Sequence, residues 1–354
     1  EMCIRDSVTG VCLAEKGHSI ICVDADKEKI TNINQGVPPI YEQGFEELLK
    51  KTVHTNLRAT DDLHQAVIDT EVSLITVGTP FDGEKIDLNQ IKDVARQIGE
   101  ALRHKDSYHL IIVKSTVVPG TTDDVVVPIL EKAAGKNAGP DFGVGMNPEF
   151  LREGVAVEDF MTPDRIVLGA IDKKSQDKME RIYQGFDNAD KLRTNNRTAE
   201  MIKYTSNSLL ATMISFSNEI ANLSAAIGDI DATEVMQGVH LDKRLNPLLP
   251  DGRRIVPSFT TYLEAGCGFG GSCFPKDVKA FISYGKALGE PMRILESVMT
   301  VNQTQPLQMI TMLENHRPSI RGIPITILGL AFKPGTSDMR ESPAIPVVRD
   351  LVAK

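Results

Sequence analysis

The chain has 354 residues, of which 41% are hydrophobic and 25% are charged, and its formal net charge is −9. This length allows two or three domains, and the composition is that of an ordinary globular protein. No apolar stretch reaches the length of a membrane span, no signal peptide is visible, and the acidic balance argues against a nucleic-acid partner. We therefore expect a soluble protein with small-molecule ligands, in which local Lys and Arg residues bind any anion.

The cysteines are odd in number and scattered, at Cys3, Cys12, Cys22, Cys267 and Cys273. This is a poor disulfide framework and indicates reduced thiols in the cytoplasm. Neither a CxxC pair nor a His/Cys cluster suggests a metal site.

Apolar, β-branched runs alternate with helical patterns over the first two-fifths of the chain. Strands are predicted within 18–24, 71–80, 108–122, 142–150 and 164–171, and helices within 26–35 and 87–105. This alternation predicts an α/β fold, a doubly wound Rossmann-like parallel sheet that binds ligands beyond the carboxyl ends of its strands.

The later part of the chain is mainly helical. Residues 196–228 predict one long helix or a kinked pair, 245–258 a loop, and 290–316 a second helical stretch. The run 322–332 predicts the first strand of another α/β unit. The predicted domains are a dinucleotide-binding domain at 1–190, a central helical domain at 191–317 and the start of a third domain at 318–354.

The start of the chain departs from a dinucleotide-binding fold. Such a fold needs an apolar strand and a G-x-G-x-x-G turn before the first helix. Here residues 1–7 lead directly into a helical pattern, and Gly10 is the only glycine before Gly17. We expect that the first strand and its phosphate loop are absent, that residues 1–7 are extraneous, and that the third domain is truncated.

Polar residues follow three of the predicted strands. Asp24 ends the first, where an acid accepts hydrogen bonds from an adenosine ribose and favours NAD over NADP, although an ordinary helix cap explains it as well. Thr79 and Thr116 lie in turns on the predicted ligand edge, where ordinary turn chemistry is the alternative.

Two further pairs have helical spacing. Glu149 and Glu153 follow Asn147 and Pro148, which suit an N-cap and first helical position, so both acids are predicted to share one helical face. One of them would act as a general base, and the alternative is a capped helix with solvated acids. Lys203 and Asn207, four residues apart, indicate either a solvated face or a site that holds an oxygen and a water.

Cys273 has the surroundings of a reactive cysteine. It follows four glycines in GCGFGGSC and precedes Pro275 and Lys276. If Pro275 begins a helix, the helix N-terminus and the lysine both favour a thiolate, and the glycines allow a ligand to approach the backbone. A buried inert thiol is the alternative, but its usual setting is an apolar run.

Five motifs occur together in one order along the chain. They are KSTVVPGTT, NPEFLREG, EMIKYTSNSLLA, GFGGSCFPKD and LGLAFKPGTSDMRES. The sequence from about Val8 to its end resembles the UDP-glucose/GDP-mannose dehydrogenase family of nucleotide-sugar 6-dehydrogenases. The resemblance implies an NAD domain, a central dimerisation region and a UDP-binding domain, and therefore a homodimer or higher homo-oligomer.

The resemblance also implies a reaction, the four-electron oxidation of UDP-glucose to UDP-glucuronate with two NAD. The aldehyde would be held as a thiohemiacetal on Cys273 and leave as a hydrolysed thioester. The resemblance implies roles for Lys203 at the C6 oxygen, for Asn207 and Asp277 in positioning a water and transferring protons, and for Glu149 as the hydrolytic base assisted by Thr116.

The resemblance carries two sets of binding residues. Those matching NAD contacts are Asp24, Lys29, Thr79, Thr116, Glu153, Lys276 and Arg340. Those matching substrate contacts are Glu149, Phe150, Leu151, Arg152, Glu153, Lys203, Asn207, Arg244, Tyr262, Leu263, Glu264, Ala265, Gly266, Gly270 and Lys333.

Several alternatives stay open. Arg244, which the resemblance directs to a neighbouring subunit's site, is followed by a longer, Pro-rich loop than the family pattern has. The substrate alternative is GDP-mannose, and a hydroxy-acid dehydrogenase that stops after one oxidation is a further possibility. The apparent truncation leaves a non-catalytic nucleotide-binding fragment open, and we expect weak or no activity from this chain alone.

Overall fold

The computed structural model of the chain describes residues 4–317 and 319–354. Cys3 and the predicted extraneous residues 1–3 lie outside the described part, whereas residues 4–7 belong to the first helix. The chain divides into two compact units, one reaching to Lys203 and the other from Tyr204 to Lys354.

The first unit alternates strands and helices, as the sequence predicts. Its strands are β1 (Ile20–Val23), β2 (Leu57–Thr60), β3 (Val72–Ile75), β4 (His109–Val113), β5 (Phe142–Met146), β6 (Arg165–Ala170) and β7 (Asp190–Thr194). Its helices are α1 (Ile4–Glu15), α2 (Lys27–Asn34), α3 (Phe45–Val53), α4 (Leu63–Asp69), α5 (Asn89–Leu102), α6 (Val127–Ala134), α7 (Ala156–Met161) and α8 (Lys173–Ile182), and a π-helical turn, Thr122–Val126, precedes α6. The sequence reading missed β2 and β7 because each is short and partly polar.

The strands form two ladders. β1 pairs with β2 in parallel, and β3 to β7 form a five-stranded sheet in sequence order. The expectation of an all-parallel sheet is wrong at one place, because β6 runs antiparallel to β5. Among the described residues no strand joins β1 to β3, and none precedes α1.

The central strands are covered on both faces. All five residues of β4 are buried. Leu110 and Ile112 belong to one core cluster, and Ile111 and Val113 belong to the other. Because successive side chains of a strand point to opposite faces, this alternation places a helix-covered core on each side of the sheet.

The later part of the chain is helical. Its helices are α9 (Asn196–Ile227), α10 (Ala232–His240), α11 (Phe274–Ala287), α12 (Arg293–Thr304), α13 (Gln308–His316) and α14 (Ala344–Ala353). α9 is one uninterrupted helix that begins in the first unit. The single stretch predicted for 290–316 is divided by a 3-10 turn, Gln305–Leu307, because Pro306 lacks the N–H that continues an α-helix.

Two sequence expectations for the second unit change. The strand predicted within 322–332 does not form, since none of the described residues of this unit offers it a partner strand. The predicted loop 245–258 contains a small hairpin, in which Leu248 bridges Arg254 and Gly252 turns the chain at φ 82°. No helix in the described ranges is both long and apolar enough to cross a membrane.

Candidate active site

Asp24 follows β1 at its carboxyl end, as predicted. Its Oδ1 accepts the backbone N–H of Asp26 at 2.9 Å, and its Oδ2 lies 3.7 Å from Lys29 Nζ. The Asp24 side chain is 34% exposed, so its oxygens remain accessible. A ribose diol donates to such a carboxylate, whereas a 2′-phosphate would meet a negative charge. The residues here therefore fit the adenosine half of NAD.

Thr79 and Thr116 follow the neighbouring strands β3 and β4. Both are buried, and the Thr79 hydroxyl donates to the Thr116 carbonyl oxygen at 2.8 Å. Ser115 adds a second tie, because its hydroxyl donates to Val77 O at 2.6 Å. These bonds hold the two loops together at the carboxyl edge of the sheet.

The segment after β5 is not the predicted helix. Residues 147–150 have no helical structure, and the next helix, α7, begins only at Ala156. Asn147 is not an N-cap, because its side chain is buried, accepting from Lys114 Nζ at 2.9 Å and donating to Val167 O at 2.8 Å. Glu149 and Glu153 therefore do not share a helical face.

Glu149 is instead paired with Lys203. The Lys203 Nζ lies 3.6 Å from Glu149 Oε1, and both side chains are at most 5% exposed. The other oxygen of Glu149 accepts the Leu151 N–H at 2.7 Å. The Lys203 ammonium also lies 5.4 Å from the centre of the Phe150 ring. The first unit thus has a buried carboxylate and a buried ammonium side by side, as a base and a charge-stabilising group require.

Two acids hold the loop that carries Glu149. Glu42, which the sequence reading did not single out, is buried and accepts the N–H groups of Gly154 at 2.7 Å and Ala156 at 3.1 Å. Asp159 binds the Arg152 backbone and guanidinium, the closest contact being 2.6 Å. Leu151 and Glu153 in the same loop are half-buried. A buried acid such as Glu42 gives no signal in a single sequence.

Cys273 lies at the start of α11, as predicted. It is the N-cap residue, Pro275 occupies the first turn, and the Asp277 N–H donates to Cys273 O at 2.8 Å. Its sulfur is 3.7 Å from the Ser272 hydroxyl, and the residue is half-buried. All four described cysteines are unpaired.

Asp277 joins two other predicted residues. Its Oδ2 accepts from Asn207 Nδ2 at 2.7 Å, and its Oδ1 accepts from Lys276 Nζ at 2.5 Å. Asp277 is 1% exposed and Asn207 is 6% exposed. The second unit therefore places a buried carboxylate, with an amide and an ammonium, one helical turn after the cysteine.

The glycines before Cys273 serve the chain's own packing more than the expected ligand approach. A Cβ on Gly270 would lie 2.3 Å from Glu341 O, and one on Gly271 would lie 2.8 Å from the Phe332 ring. A Cβ on Gly268 would lie 2.6 Å from Asn302 Oδ1, and only Gly266 faces open space.

The remaining predicted contacts of the second unit are more exposed. Arg244 forms an ion pair with Asp242 on the surface. Arg340 pairs with Asp338 at 2.6 Å, and Lys333 Nζ lies 5.8 Å from the Phe332 ring. The YLEAG run contains the exposed residues Glu264, Ala265 and Gly266, the half-buried Tyr262 and the buried Leu263.

Glu200 is a second acid that the sequence reading missed. It is fully buried on α9 and accepts from Gly120 N at 2.6 Å, Thr122 N at 2.8 Å and Thr122 Oγ1 at 2.7 Å. Burial, partly opposed by these bonds, raises the pKa of Glu200 to about 7. The only sequence signal is an acid on the apolar side of a helical pattern.

These features define a class of protein, an α/β oxidoreductase with a dinucleotide-binding domain. Three family models match the chain, those of the NAD binding domain at residues 7–187, the central domain at 197–304 and the UDP binding domain at 326–354. All three describe one family, and the chain belongs to the UDP-glucose/GDP-mannose dehydrogenase family. Its cofactor is NAD, as predicted, and its reaction class is the NAD-dependent oxidation of nucleotide sugars.

Similar proteins include both substrate types. The chain is 40% identical to UDP-glucose 6-dehydrogenase AglM of Haloferax volcanii, covering 96% of this chain and 77% of that protein. It is 42% identical to a GDP-mannose 6-dehydrogenase of Pseudomonas savastanoi pv. phaseolicola, covering 98% and 76%. Among solved structures it is similar to a UDP-glucose dehydrogenase from Pyrobaculum islandicum, with a TM-score of 0.89, 40% identity, and coverage of 98% of this chain and 77% of that one.

Proposed function

We propose that the protein oxidises the 6-hydroxyl of UDP-glucose to the carboxylate of UDP-glucuronate. The observation that carries the proposal is the place of Cys273, at the N-cap of α11 and one turn before Asp277, which is bound by Asn207 and Lys276. A single alcohol oxidation needs no nucleophile, whereas a four-electron oxidation gains from one that holds the aldehyde.

Two hydrides leave the same carbon in this reaction. Bound NAD would accept a hydride in each oxidation. Between these steps the Cys273 sulfur adds to the aldehyde carbon, and the aldehyde oxygen takes a proton to give a thiohemiacetal. Loss of that proton and of the second hydride leaves a thioester on Cys273. Water then attacks the thioester, the carbon–sulfur bond breaks, and the acid leaves with the thiol restored.

The buried polar groups support these steps. We assign Lys203 to the C6 oxygen, where an ammonium stabilises developing negative charge. Asn207 and Asp277 position a water and transfer protons, and Glu149, assisted by Thr116, takes the proton of the attacking water. Glu149 is buried yet paired with Lys203, which keeps a carboxylate present in a desolvated position.

We assign the binding residues in the same way. NAD is held by Asp24, Lys29, Thr79, Thr116, Glu153, Lys276 and Arg340. The sugar nucleotide is held by the 149–153 loop, Lys203, Asn207, Arg244, the 262–266 run, Gly270 and Lys333. The half-buried and exposed positions of the 262–266 run leave backbone groups open to a ligand.

A matched pair of cysteine variants tests the proposal. Incubated with NAD and UDP-glucose, the protein should form two NADH per sugar, with an adduct on the Cys273 peptide detectable by mass spectrometry. Cys273→Ser should abolish acid formation, and Cys267→Ser, which changes an exposed cysteine six residues earlier, should not. One NADH per sugar with a harmless Cys273→Ser would instead indicate an enzyme that stops after one oxidation. No turnover, with Cys273 no more reactive than Cys22, would indicate a non-catalytic nucleotide-binding protein.

GDP-mannose is the second candidate substrate. Relatives that oxidise GDP-mannose are 41–42% identical to this chain, as close as those that oxidise UDP-glucose. The match to the family's UDP binding domain favours UDP-glucose. Turnover of the two nucleotide sugars side by side, compared as kcat/KM, decides between them.

We also propose a homodimer formed through α9. Leu209, Phe216 and Leu223 recur every seven residues and are 58%, 50% and 57% exposed. A seven-residue apolar repeat packs against an identical helix, which makes a second copy of this chain the occupant that fits. Phe216→Glu should convert the dimer to a monomer in light-scattering measurements, and Leu288→Glu, an equally exposed change outside the repeat, should not.

The domain boundaries at 190 and 317 stay predictions, as does a cytoplasmic location. The unpaired state of the four described cysteines supports a reducing compartment.

A further inference from the structure

Glu200 lies where two loops of the proposed site meet one helix. The loop after β4 carries Thr116 and ends at Thr122, and the loop after β5 carries Glu149. α9 contacts both, because Glu200 binds the end of the first loop and Lys203, three residues later, pairs with Glu149.

The loop after β4 is held at two ends. At its start Ser115 is bound to the backbone of β3 and Val77, at 3.1 and 2.6 Å. At its end the two oxygens of Glu200 take three donors, two of them backbone N–H groups. Thr116 lies between these ties, so release of the Glu200 end would free it to move.

The same bonds fix how α9 sits against the sheet. Residues three apart in a helix lie on the same side, so a shift of Glu200 along or around the helix axis moves Lys203 with it. Lys203 faces Glu149 at 3.6 Å in a buried setting, where little water is present to compensate for a displaced charge.

We propose that Glu200 is a positioning residue for this reaction, and that its carboxylate, by binding Gly120 and Thr122, sets the places of Thr116 and Lys203. The inference rests on the proposed roles of those two residues. Glu200 itself is fully buried behind the loop and is not assigned a contact with substrate or cofactor.

Two variants weaken this clamp without leaving a large cavity. Glu200→Gln keeps the shape but sets an NH2 group against a backbone N–H. Thr122→Val removes only the hydroxyl donor and keeps the backbone bond. Glu131→Gln is the control, since Glu131 also accepts a backbone N–H, from Ala138 at 3.0 Å, but does not contact the loop.

Three readouts decide the inference. In Glu200→Gln, amide exchange of the 115–122 peptide should quicken at least about tenfold, and kcat should fall about 10- to 100-fold with KM for the nucleotide sugar changed less than about threefold. Thr122→Val should give a smaller change in the same direction. Glu131→Gln should lower the melting temperature without this division between kcat and KM.

Unchanged exchange in Glu200→Gln, or a fall in activity no larger than its loss of folded protein, would overturn the inference. If UDP-glucose is not oxidised but another nucleotide sugar is, the proposed substrate fails while the kinetic test continues with that sugar. If no nucleotide sugar is oxidised, the proposed function fails, and exchange in the 115–122 and 200–207 peptides still decides whether Glu200 holds the loop and the helix.

Discussion

Asn207 donates a 2.7 Å hydrogen bond to Asp277, seventy positions further along the chain, and both side chains are buried. The second oxygen of Asp277 accepts from Lys276. Asp277 thus has one donor for each oxygen, which orients its carboxylate firmly near the start of α11.

Replacement of Asp277 should therefore impair turnover strongly. In Asp277→Asn only one oxygen remains to accept from Asn207 and Lys276, so the geometry and the proton-transfer group are lost together. We expect kcat to fall about 100-fold or more. Asp251→Asn, in an exposed pair with Arg253, is the control and should leave kcat unchanged. Equal kcat values for the two variants would exclude a catalytic role for Asp277.

Lys203→Met should affect both stability and rate. It leaves Glu149 buried without its cation, and removal of one partner of a buried pair costs about 3–5 kcal/mol of unfolding free energy. If Lys203 acts on the oxyanion, kcat of the remaining folded protein should fall much more than affinity for the nucleotide sugar. Urea unfolding and steady-state kinetics measure the two effects. A rise in KM alone would show that Lys203 only binds substrate.

Gly270→Ala should disturb the packing of residues 341–343. The added Cβ would lie 2.3 Å from Glu341 O and 3.0 Å from Pro343 Cδ, so the backbone must move. Gly266→Ala adds the same methyl group where nothing lies within 4 Å, and its effect on stability should be small. Thermal unfolding and proteolysis near residue 340 compare the two. Equal melting temperatures would contradict the close packing.

His109 should make the protein sensitive to acid. Burial, assisted by the Lys105 charge, lowers the pKa of His109 from 6.5 to about 3. The neutral ring is satisfied, since Nδ1 donates to Thr70 O at 3.1 Å and Nε2 accepts from the Ser73 hydroxyl at 2.8 Å. The unfolded chain takes up the proton first, so stability is kept above pH 6.5 and is lost as the pH falls from 6.5 to 3.

The loss should approach about 1.4 kcal/mol per pH unit within that window. His109→Asn should remove this slope, whereas His104→Asn, at an exposed position, should retain it. Urea unfolding at several pH values gives the slopes, and identical slopes in both variants would show that His109 is not the group that titrates.

Glu200 should act in the opposite direction. The pKa of this acid is raised from 4.5 to about 7, chiefly by burial and also by Asp123. Asp123 is itself close to Arg197, at 3.5 Å. Because the folded pKa exceeds the unfolded one, the stabilising contribution is complete below pH 4.5 and is lost as the pH rises to about 7. Unfolding free energies of the protein and Glu200→Gln, subtracted at each pH, should show this decline, and a constant difference would contradict it.

Some of the architecture follows from local sequence. The alternation of apolar strands and helices predicts the doubly covered sheet, because a strand with apolar residues on both sides needs a helix layer on each face. The position of Pro275 predicts the start of α11, since proline suits a first helical turn and leaves Cys273 as the cap. The family motifs likewise identify the cofactor and the reaction class.

Other features were decided only by the tertiary structure. Asn147 and Pro148 have the local signature of a helix start, yet Lys114 and Val167 bind the Asn147 side chain, and the segment stays irregular. The run 322–332 has strand character but meets no partner strand in the described part of its unit, and a strand is stable only when its backbone groups are paired. Glu42 and Glu200 bind N–H groups more than 70 residues away, and a single sequence carries no record of such distant pairs. Local pattern therefore determined which elements form, and long-range hydrogen bonding decided where the loops of the candidate site are held.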